Sequence, residues 1–441
     1  MFKSSLFLVF FYLQPLFTAA QEIKWVKTTG GSNGNTVLRS NQGEGICTDA
    51  AGNVYVCGYT QGIFKFGTDS INSYPDNRSV LMKYSPDGKE LWARAITRGG
   101  SDYAYSVCTD ASGHIAVVGL TAGMGLETFA AQYSADGKLN WISKSQSEGS
   151  QSRAHAVAAD NTGNIYMVGE CKGAVRFGDV QIGIKDKYEV FVVKYDAQGK
   201  VVWVRNTAPS DSYETKGECV AADGKGKVYV GGAFTKSISL AGKQAVGQGA
   251  SDIFIARFTE NGAVEWLKTW GGDKRDRIHS LVTDGEGGVI AAVNFMGRTT
   301  IDMQAVIGER MMKLNATGGL LWQKEIGIPR ADYSINTHLL MAASGDIYLA
   351  GHIYGAIPLL GMQSASCAGG SDIFIARCNA RGERQWVLQA GGAGIDEGSA
   401  IGTDKEGNVY VTGIFNRKCS FGSQTIEPVS KEDGIFVVKV K

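Results

Sequence analysis

"SVLMKYSPDGKELW", residues 79–92, reads as a β-hairpin. An aliphatic and aromatic run leads into Asp87-Gly88, where a tight turn needs the positive φ that Gly supplies, and a second short run ends on Trp92. The turn and second run recur as "SADGKLNW", "DAQGKVVW", "TENGAVEW", "NATGGLLW" and "NARGERQW", ending on Trp141, Trp203, Trp266, Trp322 and Trp386. The first run recurs as "TFAAQYS", "VFVVKYD", "IFIARFT", "RMMKLN" and "IFIARCN", with a further copy, "IFVVKVK", at 435–441. Trp25, in "EIKWVKTTGG" at 22–31, has no such run before it.

A second hairpin family lies upstream of each copy, for example "CTDAAGNVYVCG", "CTDASGHIAVVG", "AADNTGNIYMVG" and "GTDKEGNVYVTG". Each repeat therefore carries four strands, A to D, with tight A-B and C-D turns and longer B-C and D-A connections. The Trp residues lie roughly 49 to 67 residues apart, within the range of propeller blades. The expected fold is all-β: a single seven-bladed β-propeller of four-stranded antiparallel blades, which meets the sheet-edge problem by radial repetition. The last blade has no D strand after Lys441, and residues 22–29 form a D strand with no C strand before it. Pairing "EIKWVK" with "IFVVKVK" completes that blade and closes the ring.

Composition agrees with many tight turns and little disorder: 59 Gly against 7 Pro, with 44% hydrophobic and 10% aromatic residues in 441. Residues 1–20 read as a secretory signal, with Lys3, the apolar "LFLVFFYLQPLF" and the small Thr18-Ala19-Ala20, leaving 21–441 as the propeller. The expected destination is the periplasm, the cell surface or the exterior, with no membrane insertion after cleavage. Acidic and basic side chains nearly balance at 43 and 44, which disfavours nucleic acid as a partner. The 8 Cys contain no CxxC pair and lie mostly inside apolar runs, so they read as small core residues. Cys171 with Cys219, and Cys367 with Cys419, are the disulfide alternatives.

The hairpin pattern resembles the bacterial SBBP-type β-propeller repeat proteins, whose repeat runs D-x-x-G-N-V-Y-V-x-G, D-x-F-V-x-K-Y-D-x-x-G, then Trp and Gly-Gly. The resemblance spans 22–441, with Gly30-Gly31, Gly99-Gly100, Gly271-Gly272 and Gly391-Gly392 matching the blade-end pair and "SQSEGS", "NTAPSD" and "EIGIPR" departing from it. It implies an exported, Bacteroidetes-like repeat protein without a shared reaction. The sialidase Asp-box is excluded because Asp87-Gly88 and Asp136-Gly137 are adjacent, where that motif has an intervening residue.

Ligand groups in such a ring belong on the loops around the axis. Five residues before the A-B turn Asp stand Glu44, Tyr105, His155, Glu218, His279 and Ser399, with Thr337 in the blade lacking that Asp and His338 beside it. Three residues before it stand Ile46, Val107, Val157, Val220, Leu281, Leu339 and Ile401. A polar ring over an aliphatic ring suits a channel mouth, either as solvated strand ends or as a ligand-binding funnel. Gln42, Tyr103, Arg153, Lys216, Arg277 and Glu397 come two positions further out. Trp270, in "WGGDKRDRIH", is an expected stacking platform for a sugar, with packing under its own loop as the alternative. Asp102, Asp276 and Asp396 read as loop caps.

No GxSxG, HExxH, phosphate-loop or EF-hand pattern occurs. No cofactor or metal is expected, and the chain reads as a monomer. The leading expectation is a recognition scaffold binding a protein or glycan. A polysaccharide hydrolase or lyase using Glu44 and Glu218, and a structural part of an envelope assembly, are the alternatives.

Overall fold

Glycines at one place in each repeat set the C-D turns: Gly88, Gly137, Gly199, Gly262, Gly318 and Gly382 all have φ between 74° and 82°. The computed structural model describes residues 21–32, 41–97, 100–122, 125–147, 149–328, 336–429 and 433–441. The signal segment 1–20 and Gly99 lie outside the described residues. These residues form strands and turns with no helix among them, and the fold is all-β and propeller-like. No described helix is long and apolar enough to cross a membrane.

Nine strands position the features below: β1 Ile23–Thr29, β2 Gln42–Thr48, β3 Asp102–Thr109, β4 Gln151–Ala159, β5 Lys216–Ala222, β6 Asp276–Thr283, β7 Asn336–Met341, β8 Asp396–Thr403 and β9 Gly434–Val440. Strands β2 to β8 are the A strands, and each starts an antiparallel unit. In the first, β2 pairs with Val54–Phe66, which pairs with Asp69–Tyr84, which pairs with Glu90–Ala95. In the last, β8 pairs with Val409–Phe415, which pairs with β9, and the outer partner of β9 is β1. Ile23 stands opposite Val440 and Thr29 opposite Ile435, while Glu22 and Lys441 exchange backbone hydrogen bonds of 3.2 and 3.0 Å. The A strands abut one another in chain order, and β8 abuts β2.

The apolar clusters lie between units rather than within them. Tyr229, Ile255 and Trp266 of one unit pack with Leu281, Val289 and Met312 of the next. Four D-strand Trp bond the next unit's C-D turn: Nε1 of Trp25, Trp141, Trp203 and Trp266 donates to the carbonyls of Pro86, Ala197, Glu260 and Ala316, at 3.2, 3.1, 2.9 and 3.0 Å. The turn Gly thus has two reasons to be Gly. Besides its φ of 81°, a Cβ on Gly199 would stand 2.4 Å from Trp141.

Several B-C connections, read from the sequence only as longer links, are further hairpins, such as Cys419–Phe421 with Gln424–Ile426. They clasp the preceding unit: Gly31 pairs with Phe64, Thr207 bridges Leu240, Gly272 bridges Thr299, and Gly392 pairs with Cys419. This accounts for the Gly-Gly ends at 271–272 and 391–392. A Cβ on the second Gly would strike the clasping backbone, 1.9 Å from Lys418 O at Gly392 and 2.5 Å from Arg298 O at Gly272. A Cβ on the first would strike a C-strand carboxylate, 1.6 Å from Asp252 Oδ1 at Gly271 and 2.4 Å from Asp372 Oδ1 at Gly391. The amide of Gly272 donates to Asp276 and that of Gly392 to Asp396, both at 2.8 Å, while Asp102 takes Arg78 at 3.0 Å.

All eight cysteines are free thiols, so Cys171 is not bonded to Cys219, nor Cys367 to Cys419. Five are buried and three half-buried, placing them in or beside the inter-unit packing.

Candidate functional site

Six of the seven A strands carry a β-bulge at the same place, between Gly43 and Gly45, Ala104 and Ser106, Ala154 and Ala156, Gly217 and Cys219, Ile278 and Ser280, and Gly398 and Ala400. The unpaired residues are Glu44, Tyr105, His155, Glu218, His279 and Ser399. A bulge re-aims a side chain that the regular pleat would send elsewhere. β7 pairs without a bulge, with Thr337 opposite Gly351 and His338 opposite Ala350. The position five before the turn therefore shifts by one: Thr337 is fully buried and His338 takes the ring place. Beneath the ring, Ile46, Val107, Val157, Val220, Leu281, Leu339 and Ile401 are all buried at 5–8% exposure, as the aliphatic pattern predicts.

One cavity of about 320 Å³ gathers Glu44, Tyr105, His155, Lys216, Glu218, Arg277, His279, His338 and Glu397, together with Gln42, Asn336, His352 and Ser399. Three expected residues lie elsewhere. Tyr103 stacks on Tyr105, with ring centroids 6.3 Å apart, and its hydroxyl accepts from Asn77 at 2.8 Å. Arg153 lines an adjoining side cavity of about 250 Å³ that shares His155 and Lys216 with the first. Trp270 ends a D strand opposite Ile253 and packs, half-buried, on the inter-unit core. Its ring is used in packing, so it is no stacking platform on the cavity.

The B and C strands back the ring with polar residues that A-strand counting misses. Glu170 meets His155 Nε2 at 2.6 Å, Glu309 of a C strand lies 3.7 Å from His279 Nε2, and His352 enters the cavity from behind β7. The signal was present in the sequence as single polar residues interrupting aliphatic B runs, in "MVGECK" and "YLAGHIYG".

Protonation differs around the cavity. Burial, and then the charge of Glu397, push the Glu44 carboxyl up to about 7. Burial, then His338 and Arg277, pull His279 down to about 3, and burial with His352 pulls His338 down to about 4. Burial opposes protonation of His155, but the Glu170 carboxylate outweighs it and holds the imidazole above its usual range. Glu218 is paired with Lys216 at 2.9 Å, and Glu397 accepts from the Tyr354 hydroxyl at 3.0 Å. Among the described residues, no group of three or more His, Cys, Asp and Glu side chains is placed to hold a metal ion.

Among known proteins, the Regulatory protein FlaEY of Caulobacter vibrioides is 28% identical over 146 residues, 31% of this chain and 15% of that protein. The match thus spans a small part of that relative. The WD40 domain of Neurospora crassa Pan2 superposes with a TM-score of 0.40 at 10% identity, over 91% of this chain and 89% of that one. A periplasmic gluconolactonase of Pseudomonas aeruginosa gives 0.43 at 12%, over 78% and 84%. A puromycin hydrolase gives 0.48 at 12%, over 89% and 55%. The model of one family, SBBP, Beta-propeller repeat, matches residues 385–413, so the chain carries the repeat that its hairpin pattern resembles.

Proposed function

We propose that this chain is an exported seven-bladed β-propeller, closed by β1 as the outer strand of its last blade, that recognises a glycan or protein group in the cavity at the mouth of its axis. The observation that carries the reading is the convergence of nine widely spaced polar residues, from Glu44 to Glu397, on one cavity of about 320 Å³. Bulges aim six ring residues inward on a rigid sheet scaffold, the arrangement that positions ligand groups with little ordering cost on binding. The cyclic contact of β2 to β8 and the pairing of β1 with β9 support the ring.

The test is a glycan array and a pull-down with purified protein, repeated with Tyr105→Ala combined with Glu397→Gln. The expected result is a loss of binding of about tenfold or more, since each removes a contact worth ~1 kcal/mol or more, with thermal unfolding as the control for folding. Unchanged affinity overturns the site.

A hydrolase or lyase reading is favoured by Glu44, whose carboxyl at about 7 holds a proton near neutral pH while Glu218 lines the same cavity paired with Lys216. Two carboxyls kept in different environments are what acid and base roles need. New reducing ends or unsaturated sugars, lost in Glu44→Gln, would establish it. No turnover on a polysaccharide panel at high protein concentration would remove it.

A further inference from the structure

The charges around the cavity are sorted by side. The position two before the bulge residue is a cation on three successive A strands: Arg153 on β4, Lys216 on β5 and Arg277 on β6. These strands abut in that order. The same position is Gln42 on β2 and Glu397 on β8, which are also neighbours, and Glu44 stands beside them. The mouth is therefore cationic along β4 to β6 and acidic at β8 and β2.

The cationic side opens further. The side cavity of about 250 Å³ is lined by Arg153, Lys172, Tyr188 and Tyr213, and it joins the central cavity at His155 and Lys216. Its acid, Glu170, is taken by His155 at 2.6 Å, as Glu218 is taken by Lys216 at 2.9 Å. Among the described residues, Arg153, Lys172 and Arg277 form no ion pair, and Nε of Arg277 is buried without an acceptor. Lys172 Nζ sits 5.4 Å over the Tyr188 ring, and Tyr213 is 61% exposed at the rim. Two tyrosine rings, unpaired cations and a shared wall make a site for a flat-faced, anionic group.

Building on the recognition reading above, we infer that the ligand is a carboxylated sugar, a hexuronate or similar acidic residue within a glycan, with its carboxylate on the Arg153–Lys216–Arg277 arc and its hydroxyls toward Glu44 and Glu397. The chemistry of both sides selects this class. The arc offers charge-assisted donors, and arginine presents the fork that matches a carboxylate. The acidic side offers acceptors for hydroxyl donors, and Glu44, where it carries its proton, offers a donor as well. A neutral sugar leaves Arg153 and Arg277 unanswered. A chain with an anion at every residue brings negative charge against Glu397 and is disfavoured by like-charge repulsion. Tyr188 and Tyr213 give the apolar face of a sugar ring something to lie on.

The experiment is calorimetric titration of the purified protein with a trisaccharide of two galactoses and one terminal galacturonate, its neutral counterpart galactotriose, and a hexaglutamate peptide. The expected result is at least tenfold tighter binding of the acidic than of the neutral trisaccharide, with hexaglutamate weaker than the acidic sugar. Arg153→Gln with Arg277→Gln should cut affinity for the acidic trisaccharide about tenfold or more beyond any loss for the neutral one, the difference expected for a charge-assisted contact. Lys172→Gln alone, which alters only the side cavity, should weaken the acidic sugar and not the neutral one. Equal affinities for the two trisaccharides, or acidic binding that survives the arginine substitutions, overturn the inference. If galactotriose binds, and the Tyr105→Ala with Glu397→Gln variant loses it, the recognition reading stands while the acidic-sugar inference falls. If hexaglutamate binds more tightly than the sugar, the cationic arc is a peptide site and the sugar class is overturned.

Discussion

Asp396 is fully buried, its Oδ2 accepts from Gly392, and Asp372 lies close enough to repel it. Burial first, and then Asp372, raise its carboxyl from 3.8 to about 7, so the folded protein holds the proton more tightly than the unfolded chain does. The sign follows directly: this stabilisation is full below about 4, erodes as the pH rises to about 7, and is constant above. Asp396→Asn imitates the protonated acid at every pH. The variant should therefore gain stability relative to wild type, on the order of 2 kcal/mol, between pH 4.5 and 7.5, read as the difference of their urea unfolding free energies. A gap independent of pH would show that Asp396 is ionised when folded. A second residue prediction concerns Trp203, which stacks on Phe258, tilts against Tyr166 and donates to Glu260. Trp203→Ala should cost about 3–5 kcal/mol, measured by urea unfolding, because it empties the seam between two units. At the candidate site the residue scale was legible only in part. Glu44, Tyr105, His155, Glu218 and His279 could be found by counting from the turn Asp, whereas Thr337 was one place wrong because β7 lacks the bulge.

Among the elements, the clasping hairpins were the least legible. Their sequences share a turn, seen in "RFGDVQI", "SLAGKQA" and "SFGSQTI", but each is only a few residues long and carries little periodic signal. Their place became apparent only from the preceding unit's strand end. Gly392 tests the clasp. Adding a side chain there meets Lys418 O at 1.9 Å, whereas at Gly407 it meets nothing within 4 Å and only its φ of 77° is strained. Gly392→Val should therefore lower stability and speed amide exchange in 419–426. Gly407→Ala should cost about 1 kcal/mol and leave that hairpin's exchange unchanged. β1 is the other decisive element. Deleting 21–29 removes the outer partner of β9 and the ring of Trp25, which lies against Tyr84 and Tyr410. The melting temperature should fall far more than on trimming an ordinary exposed terminus, and a variant melting with wild type would overturn closure by this strand.

For the whole molecule, the apolar clusters shared between neighbours leave no unit with a complete core of its own. If the ring is closed, unfolding by urea should follow one transition with tryptophan fluorescence and far-ultraviolet circular dichroism coincident. Separate transitions would show that arcs of the chain melt independently. Local rules were enough to read the strands, their turns, their repetition and the aliphatic ring from the sequence. Alternating side chains and a Gly at positive φ act over a few residues and leave a mark in the residues themselves. Tertiary structure alone decided the rest: that β7 presents His338 instead of Thr337, that Trp270 serves the core, that Gly-Gly makes room for a carboxylate and a neighbouring hairpin, and that cations gather along β4 to β6. Each of these depends on register and on the approach of segments far apart in the chain, and close approach is a property of the packed molecule.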